Sequence, residues 1–209
     1  MPFVTKNLSY YFTPLSEQTT EALHVGLYLA GSVTAERHED FIALGRSIRT
    51  SNRSIRCLWL RFKDGDDTLL NAFRAFGTEL VGTTAIQSIV FEGRVNTNVV
   101  ECLSDYFFSQ NDLRGIQFRR TDVDASTFHM LRPFFVESST LKVIDTSMNP
   151  GVGDECINVV LDALLEGEDT KLETLNIGEN NLDGEEDDSL RVSGDCVASI
   201  ASFVSKSEY

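Results

Sequence analysis

One pattern of apolar positions recurs six times along the chain. Each copy has an apolar fourth position, and the first and sixth positions are apolar as well, except for His24 in the first copy and Thr146 in the fifth, as expected of a short strand. The copies begin at His24, Ile55, Ile86, Leu113, Leu141 and Leu172. Their fourth positions are Leu27, Leu58, Ile89, Ile116, Ile144 and Leu175, which lie 31, 31, 27, 28 and 31 residues apart. Such a constant spacing predicts a repeat architecture, in which similar units follow one another.

A second apolar pattern, with residues at i, i+3 and i+7, separates the strand patterns. This spacing places three side chains on one face of a helix. The triplets are Phe41-Leu44-Ile48, Phe73-Phe76-Leu80, Val100-Leu103-Phe107, Phe128-Leu131-Phe135, Ile157-Val160-Leu164 and Val197-Ile200-Val204. We therefore predict an α/β solenoid of strand, loop, helix, loop units, each covering the apolar faces of its neighbours. An ordinary domain of alternating strands and helices is the alternative.

The sixth copy carries a family resemblance. Its sequence, Leu172-Glu-Thr-Leu175-Asn-Ile177-Gly-Glu-Asn180-Asn-Leu182, resembles the leucine-rich repeat, and the helix that follows is similar to the ribonuclease-inhibitor-like subclass. The copy from Leu141 to Asn149 is the next best match. In the family, the asparagine hydrogen-bonds backbone groups where the strand turns. The other four copies lack it and have Ser32, Lys63, Arg94 and Thr121 there, so we expect looser turns in them.

The resemblance covers about residues 20 to 205 and implies a right-handed horseshoe of about six repeats. Parallel strands would line the concave face and helices the convex face. We expect an N-terminal cap over residues 1–20 and one continuous solenoid over residues 21–209. The repeat spacing places a further strand at about residues 210–212. We therefore expect that the array continues in a longer protein, or that this end pairs with another molecule.

Composition and charge narrow the classes of partner. With 42% apolar and 24% charged residues, the chain is typical of a globular protein. Its formal net charge of −14 argues against nucleic acid and anionic membranes as partners. A basic protein surface, or no electrostatic preference, remains open. The N-terminus lacks the apolar stretch of a secretory signal, and no apolar run approaches the ~20 residues of a membrane helix. We expect a cytoplasmic protein.

An acidic insertion interrupts the last copy. The interval from Leu175 to Val197 is nine residues longer than that from Ile144 to Ile157, and it contains the acidic stretch 183–188. We favour a solvated loop; contact with a basic partner and a calcium site are alternatives. The alternating ligands and central glycine of an EF-hand are missing. Cysteine spacings do not suggest zinc, so we predict no metal and no cofactor.

Candidate catalytic residues do not form a recognisable set. His24, His38 and His129 lie on different copies, and no motif for a phosphate loop or a hydrolase is present. We expect His38 and His129 on the convex side and Cys57 on the sheet, and hence no cysteine–histidine pair. His24 is expected to be a hydrogen-bonded histidine beneath the cap and not a ligand. We therefore predict that the protein is not an enzyme.

The repeat register predicts which side chains leave the sheet on the concave side. Since the fourth and sixth positions are buried, the third, fifth and seventh face outward. The fifth positions are Tyr28, Trp59, Val90, Gln117, Asp145 and Asn176, and the seventh are Ala30, Arg61, Glu92, Arg119, Ser147 and Gly178. Tyrosine, tryptophan and arginine are enriched at binding hot spots. We predict a protein-binding site at Tyr28, Trp59, Arg61, Glu92, Gln117, Arg119, Arg120, Asp145 and Asn176. Alternatively, the segment 1–20 covers Tyr28 and Trp59.

These features indicate a scaffold or adaptor that binds a protein through the concave sheet. The second hypothesis is a small-GTPase regulator, because the same repeat subclass resembles Ran GTPase-activating proteins. For that role, the resemblance directs attention to Arg61, Arg94, Arg119 and Arg120.

Overall fold

The computed structural model describes residues 23–50, 55–109, 112–167, 171–178, 180 and 197–201. Six strands alternate with helices along the described residues. The strands are β1 Leu23–Gly31, β2 Ile55–Gly65, β3 Ser88–Gly93, β4 Gly115–Arg119, β5 Val143–Asp145 and β6 Thr174–Asn176. The helices are α1 Ala35–Thr50, α2 Asp67–Glu79, α3 Thr97–Glu101, α4 Ser104–Phe107, α5 Ala125–Glu137 and α6 Asp154–Glu166. Residues 197–201 are helical as well.

The strands form one parallel sheet in the order β1-β2-β3-β4-β5-β6, so each strand pairs with its neighbours in the sequence. The expectation of parallel strands alternating with helices is confirmed. The sheet is not strongly curled, unlike the horseshoe expected from the resemblance. The predicted cap over residues 1–20 lies outside the described residues.

Strand register agrees with the repeat alignment in five of the six copies. Leu58 lies beside Ile89, Ile89 beside Ile116, Ile116 beside Ile144, and Ile144 beside Leu175. The first copy is displaced by two residues, because Val25 and not Leu27 lies beside Leu58. A displacement of two leaves every side chain on its predicted face, since faces alternate with a period of two. It nevertheless changes which residues are neighbours across β1 and β2.

A single hydrophobic core joins the inward strand positions to the helix triplets. All members of the first five predicted triplets are buried. Phenylalanine fills much of the space: Phe91 and Phe118 stack with ring centroids 5.3 Å apart, and Phe118 meets Phe128 at 5.8 Å. Phe108 follows Phe107 directly yet is exposed, as its position outside the triplet predicts. The predicted burial of these triplets is therefore confirmed, although the third one does not lie on a single helix: Val100 belongs to α3, Phe107 to α4, and Leu103 lies between the two helices.

The sixth triplet departs from the prediction. Val197 is 55% exposed and Ile200 is partly buried, while Val204 lies outside the described residues. The first position of this triplet therefore does not lie in the core, whereas Ile200 packs against it.

Buried asparagines connect the turns after the C-terminal strands. Nδ2 of Asn149 donates to the carbonyls of Phe118, Thr146 and Ser147 at 2.7–2.9 Å. Its Oδ1 accepts from both the backbone N–H and the hydroxyl of Thr121 at 2.7 Å. The N–H of Asn149 in turn donates to Oδ1 of Asn180 at 3.1 Å. Instead of the looser turn we expected at Thr121, this turn is buried and tied to the next copy.

Candidate functional site

Two rows of side chains leave the sheet on the face opposite the core, which we call the exposed sheet face. The register places Tyr28, Arg61, Glu92 and Arg119 side by side on β1 to β4. The second row runs through Gly26, Trp59, Val90, Gln117, Asp145 and Asn176. Parallel strands lie about 4.8 Å apart, so each member of a row lies next to its neighbours. Tyr28 was predicted beside Trp59 and lies instead beside Arg61, because β1 is displaced.

Glu92 is the centre of the polar contacts on this face. Its Oε2 accepts from Nε1 of Trp59 at 2.9 Å, and its Oε1 lies 3.7 Å from Nε of Arg61. Glu92 is also beside Arg119 in the register. Only 17% of the Glu92 side chain is exposed. This carboxylate therefore fixes the orientation of the indole and holds one of the two arginines in its row.

Trp59 and Tyr28 are large apolar side chains that remain in contact with solvent. Trp59 is 44% exposed and Tyr28 is 53% exposed. A hydrogen-bonded indole with an open ring is partly pre-organised for packing against a partner, so less entropy is lost on binding. The alternative that residues 1–20 cover these rings concerns a segment outside the described residues.

Gln117 and Arg119 form a second contact on β4. Nη2 of Arg119 donates to Oε1 of Gln117 at 2.7 Å. Arg120 follows at the end of the strand, is exposed, and has a φ of 52°, in the left-handed region. Its backbone therefore turns the chain away from the sheet, so the side chains of Arg119 and Arg120 do not alternate as in a regular strand.

Asp145 and Asn176, which were predicted to bind a partner, form local contacts within their own turns. Oδ1 of Asp145 accepts from the backbone N–H of Ser147 at 3.0 Å and from its hydroxyl at 2.6 Å. Oδ1 of Asn176 accepts from the N–H of Gly178 at 3.2 Å. Both side chains thus stabilise the turn two residues further on, as Asp and Asn commonly do. We therefore assign them to the fold and centre the site on β1 to β4.

Val90 is a third difference on this face. It was predicted to face outward, yet it is 5% exposed. The register places it between Trp59 and Gln117, whose larger side chains flank it on both sides. Val90 is therefore an apolar floor between them and not a contact surface.

The displaced register also affects the expected absence of a cysteine–histidine pair. The backbone of His24 lies beside that of Cys57, although the His24 side chain is not among those described. Burial raises the pKa of the Cys57 thiol, and the nearby positive charge of Arg119 opposes this only in part. The raised pKa favours the protonated thiol, which is a poor nucleophile.

The remaining cysteines follow the same trend. Cys102 and Cys156 are buried, and burial raises the pKa of both thiols, that of Cys102 to about 11. The prediction that Cys156 is a small core residue is confirmed, whereas Cys196 lies outside the described residues.

The helical layer carries ion pairs between successive units. Arg46 and Arg49 of α1 lie 3.1 Å and 3.3 Å from Glu79 of α2, and Arg74 lies 3.8 Å from Glu101. Arg132 of α5 pairs with Glu166 of α6. Most of these side chains are largely exposed, so each pair contributes little to stability. Four arginines of the helices are thus paired across units, while Arg61 and Arg119 of the exposed sheet face lie on either side of Glu92.

The sequence matches no protein-family model, and no curated protein is significantly similar to it. Within the described parts of the chain, no helix is long and apolar enough to cross a membrane. In the same residues, no three His, Cys, Asp or Glu side chains converge as a ligand set for a metal ion.

Proposed function

We propose that this chain is a repeat protein of the leucine-rich type whose exposed sheet face recognises another protein. The sequential parallel sheet, the regular register from β2 to β6 and the buried asparagines at two turns support the repeat assignment. The acidic stretch 183–188 and the C-terminal residues 202–209 lie outside the described residues and are not part of this proposal.

One observation carries the proposed function: aromatic rings and arginines share one solvent-facing surface. Tyr28 and Arg61 are neighbours, and Trp59 and Arg61 are both joined to Glu92. Tryptophan, tyrosine and arginine are the residues that dominate binding energy at protein interfaces. A scaffold that needed these rings only for its own stability would bury them with the other aromatic side chains. Protein recognition therefore accounts for their exposure better than a structural role.

The proposal is tested on a partner obtained by affinity capture and identified by mass spectrometry. The measurement is the dissociation constant of the purified partner for the parent chain, Trp59→Ala, Arg119→Ala and Phe108→Ala. Loss of a hot-spot side chain costs ~2 kcal/mol or more, which is a loss of affinity of roughly 30-fold. We expect that loss for Trp59→Ala, a smaller loss for Arg119→Ala, and parental binding for Phe108→Ala, an exposed ring of the helical layer. Parental binding by both sheet variants would contradict the proposal.

A role as a small-GTPase regulator remains a prediction. Of its four candidate arginines, Arg61 contacts Glu92 and Arg119 contacts Gln117, while Arg94 and Arg120 are exposed at the ends of β3 and β4. A regulator of this class accelerates GTP hydrolysis by a bound GTPase, and an adaptor does not. GTP hydrolysis measured with a panel of small GTPases therefore separates the two functions.

A further inference from the structure

Charge is segregated between the sheet and the helices. The three strands β2, β3 and β4, with the residue that flanks each end, contain seven Lys and Arg against three Asp and Glu. The six helices α1 to α6 contain five Lys and Arg against twelve Asp and Glu. The net charge of −14 therefore does not describe the surface on which Trp59 and Tyr28 lie. These three strands and their flanking residues are instead net positive in a strongly acidic protein.

The acidic residues among those strands are occupied by contacts within the protein. Asp64 accepts from the N–H of Gly31 at 3.1 Å. Asp66 accepts from the hydroxyls of Ser32 and Thr68 and from two backbone N–H groups at the start of α2. Glu92 is shared by Trp59 and Arg61. Their carboxylates thus have partners already, while Arg119 and Arg120 are exposed.

The arginines also have a defined spacing. Arg61 on β2 and Arg119 on β4 lie on either side of Glu92 in one row. Two strand spacings amount to about 10 Å. A chain in the polyproline II conformation rises about 3.1 Å per residue with three residues per turn, so every third side chain points the same way at intervals of about 9 Å. Two carboxylates three residues apart match the two arginines.

We propose, on the basis of the protein-recognition function above, that the exposed sheet face binds an acidic, extended segment of its partner. Carboxylates three residues apart pair with Arg61 and Arg119, and apolar side chains between them pack on Trp59 and Tyr28. Charge complementarity selects this partner over a basic one, which the positive face repels. Nucleic acid is disfavoured because the acidic helices and the total charge of −14 oppose a long polyanion.

Glu92 orients Trp59 and also adds a negative charge to the exposed sheet face. Replacing it by glutamine keeps an oxygen that accepts from the indole N–H and removes the negative charge between the two arginines. We expect Glu92→Gln to increase the affinity for an acidic peptide by about threefold. A residue with only a structural role would not improve binding when it is changed.

The experiment uses a displayed library of random peptides of about 12 residues, selected on the parent chain. Selected peptides are synthesised with a fluorescent label, and their dissociation constants are measured by polarisation at low and at high salt. The variants are Arg119→Gln, Glu92→Gln and Trp59→Ala. The matched control is Arg132→Gln, which makes the same charge change on α5, where Arg132 pairs with Glu166. Thermal unfolding of each variant verifies that it is folded.

We expect enrichment of peptides with Asp or Glu three residues apart, affinity that falls as salt rises, and about tenfold weaker binding to Arg119→Gln. Binding to Arg132→Gln should be unchanged and binding to Glu92→Gln tighter. Basic or neutral peptides that still require Trp59 would overturn the acidic-partner proposal and leave the protein-recognition function standing. Peptides unaffected by all three sheet variants would overturn both. Tighter, Arg119-dependent binding of a labelled single-stranded oligothymidylate would also overturn the acidic-peptide proposal.

Discussion

The first pair of strands in the sheet, β1 and β2, and the last pair, β5 and β6, are held together by different sets of hydrogen bonds. β1 and β2 are nine and eleven residues long and pair from Leu23 to Gly31, with two irregularities in register. β5 and β6 have three residues each and pair over only those three. Backbone pairing therefore carries the N-terminal connection. The C-terminal connection needs another source of hydrogen bonds.

One source is the buried asparagine, beside backbone hydrogen bonds outside the strands such as that from the N–H of Met148 to the carbonyl of Gly178. The side chain of Asn149 donates to three carbonyls and accepts from the backbone N–H of Thr121, and Oδ1 of Asn180 accepts from the backbone N–H of Asn149. In the N-terminal region the corresponding link is exposed: the hydroxyl of Ser32 donates to Asp66 at 2.5 Å, and the N–H of Val33 donates to Thr68 at 2.8 Å. Hydrogen bonds to buried groups contribute more than exposed ones, because a missing partner cannot be replaced by water. The connection between the short strands thus relies in part on buried side chains, whereas the long strands are joined by extended backbone pairing.

The largest expected effect concerns the core that both regions share. Phe107→Ala removes a buried ring that packs on Phe134, with centroids 5.3 Å apart, and should cost about 3–5 kcal/mol. Phe108→Ala is the matched control, since that adjacent ring is exposed, and should cost less than about 1 kcal/mol. Denaturant unfolding measures both. Equal losses at 107 and 108 would show that the helix register is wrong.

Removing Asn149 breaks the C-terminal connection selectively. Asn149→Ala leaves several buried backbone groups without partners, each worth about 1–3 kcal/mol, and we expect a total near 3–4 kcal/mol because water enters in part. Arg94→Ala changes the same repeat position in a copy where the side chain is exposed, and should cost less than about 0.5 kcal/mol. Free energies of unfolding for both variants make the comparison. Similar values would contradict the special role of the asparagine.

Gly93 lies at the end of β3, next to Phe62 of β2. Its φ is +83°, and a Cβ there would lie 2.0 Å from the carbonyl oxygen of Phe62. Gly93→Ala should therefore cost about 2–3 kcal/mol through backbone strain and overlap. Gly82→Ala is the control, because its φ is also positive at +74° but no atom lies within 4 Å of the added methyl. A thermal melt that shows equal destabilisation would assign the effect to φ alone.

The smallest effect concerns the exposed N-terminal link. Hydrogen bonds from Ser32 and Thr68 lower the pKa of Asp66 to about 2 from its usual 3.8. Because the folded pKa is the lower one, this contribution is complete above about pH 4 and is lost as the pH falls towards 2. Asp66→Asn should differ from the parent at pH 6 and converge with it near pH 2, as measured by denaturant midpoints. A difference that stays constant with pH would contradict this assignment.

Sequence periodicity predicts the strands, the helix faces and the register of copies two to six, because burial on one face fixes each pattern. It does not determine the register of β1. Val25, Leu27 and Leu29 are buried at alternate positions, so two registers two residues apart bury equivalent side chains. On the exposed sheet face, periodicity predicts which side chains point outward, whereas contacts between them determine how exposed each one is.

The local sequence does contain signals for some contacts that the repeat register does not predict. Asp145 precedes Ser147 by two residues and Asn176 precedes Gly178 by two, which is the spacing of an Asx turn. The burial of Val90 and the central position of Glu92 had no such signal, because both depend on side chains from neighbouring strands.

The central claim is that the exposed sheet face contacts a partner protein and the helical layer does not. The most direct measurement introduces the photoreactive residue p-benzoylphenylalanine at position 28 or, in a second variant, at position 108. Tyr28 and Phe108 are both exposed aromatic side chains, at 53% and 44%, so each accommodates the probe. After irradiation of cells, we expect a discrete cross-linked protein from position 28, lost when Arg119→Gln is added, and none from position 108. A cross-link from position 108 alone would contradict the account.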